Sequence, residues 1–293
     1  MTRRRFLQHS SAAGALAGLG SAHLHAADAL VSGLPCANAL NWRVGFATYS
    51  FRTVSVFEAL EKTAATGLHY AELFAWQPLS PDNPHARPTA ELSATLKQDL
   101  KKKAADLGVK IIGIYSKLEN PESTKAMFDF ASEMDMEVIV GEPPLDLMDT
   151  IEELTEKYKV DFALHNHPKP SRYWNPEIGL AALEMRSDRM GFCCDTGHWC
   201  RSGLDPVEML QKIGPRVKTF HLKDLNQFGV LGAKDVIWGE GEGRVAAILA
   251  EVKRSDIPKP YFSIEWERDP NEPIQTHAKS AEFFEKVACA YRT

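Results

Sequence analysis

Apolar and polar positions follow two rhythms along this chain. From residue 43 onward, short runs of β-branched, aromatic and aliphatic residues alternate with longer stretches whose apolar residues recur at helical spacing. The short runs read as buried strands, and the longer ones as helices with one apolar face. Strand candidates are 43–51, 69–75, 110–116, 137–142, 160–167, 190–197, 216–224 and 260–267. Helix candidates cover 56–67, 91–108, 121–135, 145–158, 175–186, 205–214, 244–255 and 271–291. Gly67 and Gly108 stand where helices need a left-handed C-cap, and Pro121 where a first turn tolerates a missing N–H.

Eight strands and eight helices in strict alternation imply parallel pairing, because each parallel crossover needs a helix. The expected fold is α/β, a (β/α)8 TIM barrel forming a single domain. An open doubly wound sheet is the alternative, but no glycine-rich nucleotide fingerprint follows the first strand. GEGEG at 239–243 lacks both the spacing and the preceding strand for one. The longer loops, 76–88 and 225–244, are where function is expected to gather.

The first forty residues follow another pattern. Thr2-Arg3-Arg4-Arg5-Phe6-Leu7-Gln8 matches the twin-arginine export pattern, and an Ala/Gly-rich run too short to span a bilayer follows it. The expectation is a signal peptide and linker over 1–39, cut near Ala27 or after Ala39, and the barrel over 40–293. The mature protein would then have no membrane span and would work in a periplasm. With 293 residues, 44% hydrophobic and 25% charged, the chain fits a globular protein with a large core. A net charge of −5 gives no basic surplus for nucleic acid. The cysteines suggest no disulfide framework: there is no C-x-x-C, Cys193 and Cys194 are neighbours on one strand, and Cys200 and Cys289 are scattered.

A barrel of this kind gathers its chemistry at the C-terminal ends of its strands. There the sequence places Glu72, Glu142, His165, His167, Asp195, His198, His221, Lys223, Glu265 and Glu267. Burying so many ionisable groups without a counter-charge is costly, and a divalent cation with carboxylate and imidazole ligands resolves the cost. The strand period puts His165 and His167 on one face, with Asn166 toward the helices. Glu265 lies deeper than Glu267 and is the preferred ligand.

DTGH at 195–198, HLKD at 221–224 and IEWE at 264–267 resemble the xylose isomerase-like barrel superfamily, over roughly residues 42–291. That group includes sugar epimerases and isomerases, inosose dehydratase and endonuclease IV. The resemblance implies a metal held by Asp195, His221 and Glu265, with His198 as a substrate contact. On the fifth strand, where the family often carries Glu, this chain has His165 in LHNHP. Glu142 is therefore the candidate fourth ligand, with His165 as the alternative. His165, His167 and Lys223 are the catalytic candidates. His198, Arg201, Trp238 and Glu72 are the substrate-binding candidates, Trp238 either as a sugar platform or as the anchor of its loop.

The implied cofactor is one divalent ion: Mn, Zn, Co, Fe or Mg. The implied partner is a small-molecule sugar or keto sugar, with no nucleic acid; a homo-oligomer is left open. The implied activity is that of a metal-dependent isomerase or epimerase that abstracts a proton next to a carbonyl through a metal-bound enediolate. The alternative is a lyase or dehydratase on a keto sugar or 3-keto-glycoside. Further away stand a non-catalytic sugar-binding barrel and a nuclease like endonuclease IV.

Overall fold

The structure, a computed structural model, describes residues 29–292. Its first element is the short helix α1 (Pro35–Ala39). Then come β1 (Arg43–Ala47), α2 (Val56–Thr66), β2 (Tyr70–Phe74), α3 (Ala94–Asp106), β3 (Lys110–Tyr115), α4 (Pro121–Glu133) and β4 (Val138–Gly141). The second half holds α5 (Met148–Tyr158), β5 (Asp161–His165), α6 (Pro176–Ala182), β6 (Met190–Asp195), α7 (Thr196–Arg201), α8 (Pro206–Ile213) and β7 (Val217–Leu222). A small antiparallel pair, β8 (Asp224–Leu225) with β9 (Asp235–Val236), precedes α9 (Val245–Arg254), β10 (Tyr261–Ile264) and α10 (Ile274–Cys289).

The eight parallel strands close in the order β1-β10-β7-β6-β5-β4-β3-β2, the expected barrel. Its inside is filled by Ala47, Phe74, Ile112, Tyr115, Val138, Val140, Ala163, Cys193 and Tyr261. The larger core lies between the strands and the surrounding helices, and Cys194 belongs to it. The two adjacent cysteines thus face opposite ways, as strand geometry requires. Local chemistry explains the helix starts. Ser55 and Glu58 form a capping box on α2, whose chain leaves through Gly67 at φ 91°. Ser93 caps α3, which therefore begins three residues later than its polar–apolar pattern predicts.

Two expectations change near the chain ends. The twin-arginine stretch and the apolar run after it lie outside the described residues. The packed structure, however, begins before residue 40: Val31, Leu34, Cys36 and Ala37 are buried. Cys36 on α1 is disulfide-bonded to Cys289 on α10. Glu285 accepts hydrogen bonds from the backbone N–H groups of Cys36 (2.6 Å) and Ala37 (3.0 Å). The pairing partners are 253 residues apart, and only barrel closure, which sets the last helix beside the first, brings them together. Among the described residues, no helix is long and apolar enough to cross a membrane.

Candidate metal centre

Asp195 meets two demands at once. It ends β6 and caps α7, a turn of helix that the strand pattern did not predict: its Oδ1 accepts from the His198 N–H at 2.8 Å. Its Oδ2 faces His165 Nε2 (3.6 Å) and His198 Nε2 (3.4 Å) and accepts from Lys223 Nζ. The glycine of DTGH is a packing requirement, because a Cβ on Gly197 would sit 2.7 Å from Lys223 Cβ. Asn166 does not turn to the helices as expected. Its side-chain amide pairs with both backbone groups of Asp195, at 3.0 Å each, and pins the end of β6 to the end of β5.

The residues brought together are His165, Asp195, His221 and Glu265, whose ligand atoms all lie within 4.8 Å of one another and all of which are buried. Each imidazole is held by a carboxylate on one ring nitrogen, though on opposite nitrogens. His165 Nδ1 bonds Glu142 Oε1 at 2.9 Å, which leaves Nε2 turned toward Asp195. His221 Nε2 bonds Glu72 Oε1 at 2.8 Å, which leaves Nδ1 3.0 Å from Glu265 Oε2 but outside hydrogen-bond geometry. Both inward nitrogens are buried without a hydrogen-bond partner among the described residues. A carboxylate fixing one ring nitrogen while the other is offered inward is the usual arrangement of metal-ligating histidine. The residues therefore fit a divalent cation, and two nitrogens with two carboxylates suit Mn, Zn, Co or Fe.

The electrostatics match. Burial opposes charge on His165, but the Asp195 carboxylate facing Nε2 and the hydrogen bond to Glu142 outweigh it and raise the imidazole to about 10. Burial likewise opposes charge on Glu142, yet the bonds from His165 and His167 hold it at about 2. Glu265 is held at about 2 against its burial by the charges of His221 and Lys223. Asp195 is pulled well below its ordinary value against burial, by His198 and Lys223. Lys223 is fully buried, donates to both Asp195 and Glu265, and is raised by the carboxylates around it.

The remaining candidates divide. His167 stands half-exposed beside the group, its ring centroid 4.7 Å from that of His165, with Nδ1 on Glu142. His198 has its Nε2 3.4 Å from Glu267 Oε1, and its Nδ1 faces Arg201 Nη1 at 3.1 Å. A guanidinium only donates, so Nδ1 accepts and the proton sits on Nε2. Arg201 also donates to Glu267 and lines a cavity of about 270 Å³ with Leu231, Asp235 and Arg268.

One placement corrects a sequence expectation, that of Glu72, and two select between alternatives left open, those of Glu142 and Trp238. Glu142 is not in the group with Asp195, His221 and Glu265; it lies behind His165, which takes that place. Glu72 is fully buried behind His221, too deep to touch a substrate; a bulge between Ala71 and Glu72 shifts the strand register there. Trp238 is buried, with its indole N–H on the Leu222 carbonyl (3.2 Å) and its ring against Phe284, so it anchors its loop between strand and helix. Two residues were underrated. Glu267, set aside for Glu265, joins His198 and Arg201, and the Glu-x-Glu spacing was its signal. Tyr115, the last residue of β3, sits edge-on to His165 with centroids 5.2 Å apart, and only its strand-end position pointed to it.

Eight parallel strands with imidazole and carboxylate donors converging at their C-terminal ends define a (β/α)8 barrel with a candidate cation site. The chain belongs to the Xylose isomerase-like TIM barrel family, whose model matches residues 60–287. Among solved structures, an uncharacterized protein from Parabacteroides distasonis is similar at 34% identity and TM-score 0.69, over 84% of this chain and 99% of that one. A D-tagatose 3-epimerase-like protein matches at 21% identity and TM-score 0.64, over 85% and 97%. The IOLI protein, whose structure holds a zinc atom, matches at 16% identity and TM-score 0.68, over 86% and 99%. The two lower identities speak for the fold alone. No curated protein matches.

Proposed function

We propose that this protein is a divalent-cation-dependent enzyme that moves a proton on the carbon next to a carbonyl of a sugar, as isomerases and epimerases do. The observation that carries the reading is the pair of buried, unpartnered ring nitrogens, His165 Nε2 and His221 Nδ1, beside Asp195 and Glu265. The sugar substrate and the metal are carried over by fold analogy from the epimerase-like protein and the zinc-holding IOLI protein.

His165, Asp195, His221 and Glu265 would hold the cation, with Glu142 and Glu72 orienting the two imidazoles. A cation there supplies positive charge against a substrate carbonyl and its neighbouring hydroxyl, which makes the C–H between them more acidic. His167, with Nδ1 committed to Glu142, takes and returns the proton at Nε2. His198 donates from Nε2 to a substrate oxygen, its tautomer set by Arg201. Lys223 supplies a fixed ammonium charge for the enediolate oxygens. The half-exposed His167–Glu142 pair also favours a second reading, elimination, in which protonated His167 hands its proton to a leaving oxygen.

Export belongs to the proposal. The Cys36–Cys289 disulfide supports it, because such bonds persist in oxidising compartments. The signal cut falls near Ala27, since a cut after Ala39 would part Cys36 from the barrel.

The test is deuterium incorporation. Protein loaded separately with Mn, Zn, Co or Mg is incubated with a panel of keto sugars in heavy water and followed by NMR. Exchange at the carbon next to the carbonyl, lost on chelation, is the expected result. Stable cation binding with no exchange on any sugar, and no elimination product, refutes the reaction.

A further inference from the structure

Three strands end in rings rather than charges. Tyr115, at the end of β3, stacks on Phe74, at the end of β2, with centroids 5.2 Å apart and planes 5° from parallel. Trp76 meets both edge-on, 4.8 Å from Phe74 and 5.5 Å from Tyr115, and Tyr49, just after β1, packs on Phe74 at 5.4 Å. The inner rings are covered, Phe74 being 3% and Tyr115 8% exposed, whereas Trp76 is 43% exposed. Tyr115 touches His165, so Trp76 stands one ring further out from the metal group.

Trp76 is held in that position. Ala75 N–H donates to the Tyr115 carbonyl (3.0 Å) and Gln77 N–H to the Phe74 carbonyl (3.0 Å). The buried Gln77 amide donates to the carbonyls of Phe51 (3.1 Å) and Val54 (2.8 Å). With the backbone tied on both sides, the indole is presented outward without the ordering cost of a mobile loop. Beside it opens a cavity of about 470 Å³ whose lining includes Ala75, Trp76, Ser116 and Lys117. No step of the proton transfer uses these residues.

A rigid, half-exposed ring flanked by a hydroxyl and an ammonium group matches one ligand chemistry closely. A sugar ring has an apolar C–H face, which covers an aromatic ring, and hydroxyls, which bond to polar neighbours. We propose that Trp76 is the platform of an outer sugar subsite, so that the substrate is a glycoside with one ring at the metal group and a second sugar ring over Trp76. The inference rests on the reading of the metal group as a sugar site, and a single ring, Tyr115, separates Trp76 from His165. An apolar aglycone is the poorer fit, because it would take water from the exposed Lys117 ammonium without replacing it by an acceptor.

Calorimetry on the cation-loaded full chain tests it, with cellobiose, maltose, lactose and trehalose against their monosaccharides, and p-nitrophenyl glucoside as the apolar control. At least one disaccharide should bind about tenfold tighter than its monosaccharide, the scale of covering an exposed indole face. Trp76→Ala should bring that ratio to near one, and Trp76→Phe should keep most of it. Thermal melting of both variants shows whether the fold is intact. Failure of every disaccharide to gain over its monosaccharide, a gain that survives Trp76→Ala, or a Trp76-dependent gain for p-nitrophenyl glucoside alone each overturns the subsite. A Trp76-dependent disaccharide gain without deuterium exchange would keep the subsite and sink the reaction; exchange on monosaccharides with a ratio near one would do the reverse.

Discussion

Around the mouth of the barrel, β4 to β7 and β10 lead into ionisable groups, whereas β1 to β3 lead into aromatic rings. Two buried histidines, one at the mouth and one in the core between the barrel and α10, show what such surroundings do to an imidazole. His165, among carboxylates, is raised to about 10 against the pull of burial. His277 on α10 lies among Phe46, Phe51 and Trp266, with ring centroids 5.6, 5.6 and 5.3 Å away, and burial, assisted by Lys62, lowers it to about 4. Neither of its ring nitrogens has a hydrogen-bond partner among the described residues. Burial is common to both imidazoles, so the neighbours decide the sign. On one side acceptors make a charged or metal-ligating ring stable; on the other, rings without acceptors keep the imidazole neutral.

The largest effect expected is on the charged side. Asp195→Asn keeps an oxygen to cap α7 but removes a ligand charge; metal content should fall well below one ion per chain, and exchange should drop about a thousandfold or more. Elemental analysis beside the exchange assay checks this, and full metal occupancy in the variant would break the assignment.

A smaller effect separates the two orienting carboxylates. Glu72→Gln should weaken cation binding by about 10- to 100-fold, the usual loss when the carboxylate behind a metal-bound histidine goes. Glu142→Gln should cost less, because Glu142 is partly exposed and its oxygen is shared with His167. Competition against a fluorescent chelator ranks them, and equal losses would show that burial of the carboxylate is irrelevant.

The smallest effect belongs to the histidine of the outer core. His277 has a folded value near 4, below its unfolded value of about 6.5, so the unfolded chain binds the extra proton. Its contribution is intact above about pH 6.5 and is lost as pH falls toward 4, reaching about 2–3 kcal/mol by pH 4.5. Denaturant unfolding at pH 7 and pH 4.5 should show His277→Leu losing less stability than the parent over that interval by this amount. An identical loss would mean that His277 finds an acceptor.

The alternation of apolar runs determined the eight strands, their parallel closure, and that Cys193 and Cys194 face opposite ways while His165 and His167 stand together at the mouth. These are local properties, because the strand period and the caps at Ser55 and Gly67 involve residues close in sequence. Asp195, His221 and Glu265 were legible for the same reason, each sitting at the end of an apolar strand. Tertiary structure alone decided what each group bonds to. His165 displaces Glu142 from the cation group, Glu72 turns back onto His221 past a bulge, Trp238 disappears behind β7, and Cys36 meets Cys289. Each of these depends on distances between strands or chain ends that exist only once the barrel has closed, and no period along the chain encodes them.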